Sequence, residues 1–378
     1  MIAFEYVDSQ KKLDECCKRL QHSPVLSVDT EFVRERTFFP RPGLVQVSDA
    51  HQISLIDPIS CANLQPFFAL LESPDIQIVM HSCSEDIELF YFMGCGTIHG
   101  LFDTQIAAAW LGMGHSLSLQ RTVEHYESVF IEKQLSRTDW LKRPLSDAQL
   151  EYAAIDVLYL HAIAKQQQAS LREAASLDFM LEDCDLCCEK KSLSENDNLA
   201  YLKVSRAITA TDEALNRLQQ LSSWREQRAR KDDRPRQHVL KDLQLLSICM
   251  EYPETLDQLA EKCEIPTFVI RRYGAEIINV ITESCSQNTV TKPVLSLRSI
   301  SGGGKVLKDC RDFMVDIHLQ EKIPLEVLPS KRWLEQFLLH SIADWYSMPD
   351  GWKGWRKNLL EEPLQRIIKE NDFKLRQE

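Results

Sequence analysis

The sequence predicts an α/β domain followed by all-α helical modules. Short apolar runs typical of strands alternate with helical stretches up to about residue 170, and no strand pattern returns afterwards. A polar, acid-rich stretch, 182–198, separates the two parts and is expected to be a boundary or a connecting helix. The strand-like runs are 2–7, 25–33, 44–48, 53–56 and 76–80.

The composition is that of a folded protein rather than a fibrous, disordered or membrane-spanning chain. Its 378 residues are 44% hydrophobic and 26% charged, which suits two or three domains. The sequence has no apolar run near the roughly 18 residues that cross a bilayer, and no signal-peptide pattern. We expect a cytoplasmic protein, a monomer, whose twelve cysteines are free thiols rather than disulfides or zinc ligands.

The first candidate site lies in the predicted strand 25–33. Asp29 and Glu31 are two residues apart, so both side chains point to one face of that strand. Two carboxylates at the core-facing end of a strand are costly to desolvate unless a cation lies between them. A divalent ion with oxygen ligands meets that need, although for this pair taken alone a strand end whose acids face water is the simpler explanation.

The second segment with an acidic candidate follows the strand-like run 76–80. Ser82 and Glu85 fit a capping box, which places Asp86 in the first turn of the next helix. The helix dipole favours an ionised carboxylate there, so helix capping alone would also explain Asp86.

The third segment, 145–168, has apolar residues at helical spacing after a cap-like Ser146. Tyr152 and Asp156 are four residues apart and therefore share one helical face. Together with the other acids they match a site in which two Mg²⁺ or Mn²⁺ ions hold the attacking water and the leaving 3′ oxygen of a phosphodiester. Such ions would also invert the local field that otherwise repels a phosphate chain.

These segments resemble the three motifs of the DEDD exonucleases, and most closely those of the ribonuclease D family. The motifs are VDTEFVRERTFFPRPGLVQVSD, HSCSEDIELF and YAAIDVLYL, and the resemblance extends to residues 102–108 and 137–140. It covers residues 1 to about 170 strongly, and it implies a ribonuclease H-like sheet.

The resemblance also implies roles for the site residues. Asp29, Glu31 and Asp156 would bind the more tightly held metal, and Asp29 with Asp86 the second. Tyr152 would orient the attacking water. The other branch of the superfamily has His where this chain has Glu151, so the tyrosine branch is indicated.

The helical part resembles an HRDC domain, a bundle that assists nucleic-acid binding, and the last segment resembles a second such bundle loosely. The expected domains are an exonuclease domain over 1–180, a connecting segment over 181–205, an HRDC domain over 206–290 and a second HRDC-like domain over 291–378.

Contacts with nucleic acid are expected from two places in the chain, despite a net charge of −12. The stretch 222–241 has seven basic and three acidic residues, and its candidates are Arg225, Arg228, Arg230 and Lys231. Arg34 could pair with phosphate while Phe38 and Phe39 stack on unpaired bases. A solvated helix face and core packing are the respective alternatives.

The predicted function is a metal-dependent 3′–5′ exoribonuclease that releases nucleoside 5′-monophosphates from single-stranded 3′ ends. The resemblance implies transfer RNA precursors as substrates. A DNA exonuclease of repair and a nucleic-acid-binding protein with a lapsed catalytic site are the alternatives.

Overall fold

The computed structural model describes residues 2–131, 138–189, 197–284 and 291–374. Arg137, the predicted domain boundary at 290 and residues 190–196 of the acid-rich stretch lie outside these ranges.

A mixed six-stranded sheet forms the centre of the N-terminal part. Its strands are β1 Phe4–Val7, β2 Val25–Val33, β3 Arg41–Ser48, β4 Ile53–Ile56, β5 Gln77–Met80 and β6 Leu101–Asp103. The spatial order is β1-β4-β3-β2-β5-β6, in which β3 is antiparallel to both neighbours and the other pairs are parallel. The five predicted strands are confirmed, whereas β6 was missed because three residues are too few to show a periodic pattern.

Helices surround this sheet and connect its strands. They are α1 Gln10–Leu20, α2 Gln65–Leu71, α3 Ser84–Phe92, α4 Thr104–Trp110, α5 Leu119–Glu127, α6 Asp147–Leu158, α7 Leu160–Glu173 and α8 Leu177–Cys187. Helix α6 packs across β2, β3 and β4, while α7 packs against β2 and β5. The sheet centre and α6 therefore bring distant parts of the sequence together.

The remainder of the described chain is helical, as predicted. Two 3₁₀ helices, Asp197–Lys203 and Ala207–Thr209, come first. They precede α9 Asp212–Lys231, α10 Arg236–Val239, α11 Asp242–Glu251, α12 Leu256–Cys263, α13 Thr267–Ser284, α14 Gly303–Glu321, α15 Lys331–Ile342 and α16 Gly354–Glu370.

Two predicted helix starts have different outcomes. Ser146 caps α6 in a capping box with Gln149, as expected. The capping box predicted for Ser82 is wrong, because α3 begins at Ser84 and its cap position, Cys83, makes no side-chain cap hydrogen bond. The backbone N–H of Cys83 instead donates to Asp103 at 2.8 Å.

Two large apolar cores and one small one, formed by Val123, Ile131 and Ile163, hold the described residues together. The largest one joins the sheet and its helices to the last helical segment, so that Met180 and Cys184 of α8 pack with Trp355 of α16 in one cluster. The second large core belongs to the helices of residues 197–284, here called the middle helical module, and includes Tyr201 and Val204 from the predicted connecting segment. The domain boundaries themselves stay a prediction.

Within the described ranges, no helix combines the length and apolar character that a membrane span requires. The eleven cysteines described there are all free.

Candidate active site

Strand β2 carries Asp29 and Glu31 into the middle of the sheet. Their side chains share a face, as the two-residue spacing predicts. The ladder between β2 and β3 has a register shift between Glu31 and Phe32, where Gly43 of β3 is passed over. Such bulges redirect side chains at active sites, and this one lies beside Glu31.

Helix α6 brings Asp156 to the same place, although about 125 residues of chain separate it from β2. One carboxylate oxygen from each of Asp29, Glu31 and Asp156 lies within 4.8 Å of the others. These are the three residues that the resemblance assigns to the more tightly held metal. Their roles as ligands remain a prediction that the geometry permits.

Asp86 reaches the site from the first turn of α3, as predicted. The hydroxyl of Thr30, which lies between Asp29 and Glu31 in sequence, donates a hydrogen bond to the Asp86 carboxylate. Thr30 therefore ties α3 to β2 and keeps Asp86 beside Asp29. The sequence offered no signal for Thr30 beyond its place between two acids.

The charges acting on these carboxylates are those of other carboxylates. Burial and the charge of Asp156 hold the pKa of Asp29 well above its usual range. Burial and the Asp29 charge likewise raise the pKa of Asp86, against the hydrogen bond from Thr30. Burial followed by the neighbouring carboxylates raises the pKa of Glu31 to about 10.

Such a group of acids fits divalent cations. The carboxylate oxygens lie within a few ångströms of one another, and this crowding opposes their ionisation. A hard cation stabilises the ionised carboxylates because it neutralises their charge. The residues present therefore match the donor set that a magnesium or manganese site requires.

Tyr152 lies one turn before Asp156 on α6, and its hydroxyl is close enough to the Asp156 carboxylate for each group to shift the pKa of the other. Burial, and then the charge of Asp156, raises the pKa of the Tyr152 hydroxyl above its ordinary value. Burial also raises the pKa of Asp156, to about 7, although the nearby Tyr152 hydroxyl opposes the shift. The phenol therefore stays protonated at neutral pH and can donate a hydrogen bond.

The loop after β2 argues against the predicted base-stacking role of Phe38, while Phe39 is only partly buried and its role stays a prediction. Phe38 is 4% exposed and packs in the core of the middle helical module. Phe39 stacks on Phe92 of α3, with ring centroids 4.6 Å apart. The backbone N–H groups of both residues donate to Asp233, at 2.9 and 3.0 Å. The two rings hold the helical module against the sheet domain.

Arg34 is also engaged within the protein. Its guanidinium makes a bidentate pair with Glu88 of α3, at 2.7 and 2.9 Å, and donates to the carbonyl of Phe38 at 3.1 Å. The predicted phosphate contact by Arg34 would have to compete with this pair.

Three of the four predicted basic contacts on α9 are likewise internal. Arg225 is 6% exposed and donates to Asp242 at 2.7 Å. Arg228 pairs with Glu276 at 3.1 Å, and Arg230 donates to Asp197 at 3.0 Å. These side chains hold the helical module together, which argues against a role on nucleic acid. Lys231 is exposed and stays a candidate.

Comparisons with known proteins agree with this architecture. A model of the 3′-5′ exonuclease domain matches residues 4–172, and a model of the HRDC domain matches residues 214–281. Ribonuclease D of Shewanella sp. (strain ANA-3) is 34% identical over 371 residues, covering 96% of this chain and 94% of the relative. The chain belongs to the ribonuclease D family. The predicted family, fold class and enzyme class, a 3′–5′ exoribonuclease, are confirmed.

Solved structures extend the likeness over the whole chain. The crystal structure of Escherichia coli RNase D, described as an exoribonuclease involved in structured RNA processing, superposes with a TM-score of 0.91 at 30% identity. It covers 98% of this chain and 99% of that one. The catalytic core of RRP6 from Trypanosoma brucei, 20% identical with a TM-score of 0.61, covers 76% of this chain and 81% of its own and shares the fold. The ribonuclease D fold implies divalent metal use, for which the acidic cluster is suited.

Proposed function

We propose that this ribonuclease D family member removes nucleoside 5′-monophosphates from single-stranded RNA 3′ ends with two divalent ions, Mg²⁺ or Mn²⁺. The convergence of Asp29, Glu31, Asp86, Asp156 and Tyr152 supports the proposal most directly. Asp29, Glu31 and Asp156 would hold one ion, and Asp29 with Asp86 the other. When bound, such ions lower the pKa of the attacking water and balance charge on the leaving 3′ oxygen.

The side chains have separate tasks in this scheme. Asp29 would serve both positions, because its charge acts on the carboxylates of both Glu31 and Asp86. The Tyr152 hydroxyl donates a hydrogen bond, since its raised pKa leaves it protonated, and so orients the water for in-line attack.

Digestion of matched RNA and DNA oligonucleotides, with end products mapped, tests this scheme. We expect 5′-monophosphates released stepwise from the 3′ end of RNA, only with Mg²⁺ or Mn²⁺ present. Asp29→Asn and Asp156→Asn should abolish release. Asp147→Asn is the matched control, because Asp147 lies exposed on the same helix as Asp156. Full activity of either site variant would contradict the mechanism, and preferential digestion of DNA would favour a repair exonuclease.

Transfer RNA precursors are the substrate class that membership of the ribonuclease D family supports. A precursor with a single-stranded 3′ extension should be shortened, and the same precursor annealed to an oligonucleotide across its extension should not. RNA binding without metal-dependent release would indicate a lapsed catalytic site.

A further inference from the structure

Trp140, in the segment just before α6, contacts both Tyr152 and the β3 residue beside Glu31. This side chain is 1% exposed, and its ring centroid lies 6.2 Å from that of Tyr152. On its other side it lies against Gly43, where an added Cβ would stand 2.6 Å from the Cβ of Trp140 and 3.0 Å from the carbonyl oxygen of Glu31. Trp140 therefore fills the space between the bulge next to Glu31 and the ring of Tyr152.

A partly buried ion pair between Arg143 and Asp57 fixes the backbone around Trp140. The Arg143 guanidinium donates to the carbonyls of Trp140 at 2.8 Å and Gly43 at 2.6 Å. It also donates twice to the carboxylate of Asp57, both times at 2.7 Å. One guanidinium thus joins the segment before α6 to β3 and to the end of β4.

Asp57 is held as firmly as its partner. It is 1% exposed and also accepts hydrogen bonds from the Tyr6 hydroxyl at 2.9 Å and the Ser60 hydroxyl at 3.0 Å. Burial alone would raise the pKa of Asp57, but the hydrogen bonds from Arg143 and its other donors lower it to about 2. The pair stays charged over the pH range in which nucleases work, so the anchor is permanent.

We propose that Trp140, anchored by Arg143 and Asp57, is a positioning residue for Tyr152. The inference rests on the proposed role of Tyr152 in orienting the attacking water. A tyrosine ring rotates about two side-chain torsions, and a fixed indole against it restricts both. A displacement of about 1 Å at such a group costs on the order of 10²-fold in rate, which makes a rigid support worthwhile.

The indole N–H does not explain why tryptophan occupies this position. Among the described residues, the Trp140 Nε1 atom is buried and has no hydrogen-bond partner. Trp140→Phe therefore removes an unsatisfied donor along with part of the ring, so its effect on folding is partly offset. The same substitution leaves Tyr152 with a smaller and looser neighbour.

A double-mutant cycle on a short 3′-ended RNA, at saturating metal, tests the proposal. We expect Tyr152→Phe to lower kcat, and Trp140→Phe to lower kcat by at least about tenfold while KM and the calorimetric metal Kd stay unchanged. In the Tyr152→Phe background, Trp140→Phe should have no further effect, because its target is gone. Gly43→Ala, which pushes Trp140 away instead of trimming it, should reproduce the loss of kcat.

Trp355→Phe is the matched control, since Trp355 is 4% exposed in the same large core but contacts Asp183 rather than the active site. It should lower the thermal midpoint and leave kcat unchanged. An equal loss of kcat from Trp140→Phe in both backgrounds, or no loss in the wild type, would overturn the positioning role alone. Full activity of Tyr152→Phe would instead refute the proposed role of Tyr152, and the inference with it.

Discussion

Replacing Phe38 by alanine separates two roles that this residue could have. In a base-stacking role, Phe38→Ala would weaken RNA binding and leave folding unchanged. The structure places the ring in the core of the middle helical module, with the guanidinium of Arg236 above it at 4.8 Å. Its removal should therefore cost stability rather than affinity.

The size of the loss follows from the burial of the ring. Phenylalanine-to-alanine substitutions at fully buried positions cost about 3 to 5 kcal/mol, through lost burial and the cavity left behind. Phe38 is 4% exposed and lies at the edge of its core, where neighbours can partly collapse, so we expect about 3 kcal/mol. Asp233→Ala should cost less, about 2 kcal/mol, because water can replace part of its two hydrogen bonds to the loop.

This loss of stability can be measured by guanidinium denaturation, with tryptophan fluorescence as the signal. The transition midpoints are compared, because a multidomain chain need not unfold in one step. Phe268→Ala is the control, since that side chain belongs to the same middle helical module but is 64% exposed. The control should change stability by less than about 0.5 kcal/mol. Unchanged midpoints for Phe38→Ala, together with a raised KM for RNA, would refute the interdomain role.

Three further predictions follow from charged groups. Asp183 accepts hydrogen bonds from Trp110 at 2.9 Å and from Arg356 at 3.0 Å. Asp183→Ala should therefore leave the charge of Arg356 uncompensated and lower the free energy of unfolding by about 3 kcal/mol. An unchanged thermal midpoint would contradict this expectation. Because the pKa of Glu31 is raised to about 10, binding of Mg²⁺ or Mn²⁺ should release protons and become tighter as pH rises. Identical calorimetric heats in buffers of different ionisation enthalpy would argue against this proton release. The pKa of Asp57 is lowered to about 2, so its stabilising effect is complete above its ordinary pKa of 3.8 and is lost as pH falls toward 2. Urea midpoints at about pH 5 and pH 3 should differ less in Asp57→Asn than in the wild type, and an equal difference would argue against the ion pair.

Local spacing made the acidic residues predictable. Asp29 and Glu31 share a face in any strand, and Tyr152 and Asp156 share a face in any helix. The helix start at Ser146 needed only four consecutive residues, and it is confirmed. At the start of α3 the N–H of Cys83 is bound by Asp103, twenty residues away in sequence, and the prediction from Ser82 was wrong.

The environment of the basic residues on α9, by contrast, could not be predicted from local spacing. Arg225, Arg228 and Arg230 form a charged run in sequence, which is typical of a nucleic-acid surface. Their partners come from other elements, such as Asp242, Glu276 and Asp197, and the net charge of the run does not show this. Of the predicted α9 contacts, only Lys231 is exposed enough to meet a ligand freely.

The sequence by itself determined which side chains are available for phosphodiester chemistry, because strand and helix periodicity place each pair on one face before any packing occurs. Tertiary structure alone decided how these pairs meet and which side chains support them. Thr30 beside Asp86, Trp140 against Tyr152 and Phe38 in the helical module are all long-range contacts. Such contacts form only when apolar faces from distant segments pack together, and no local pattern records their partners.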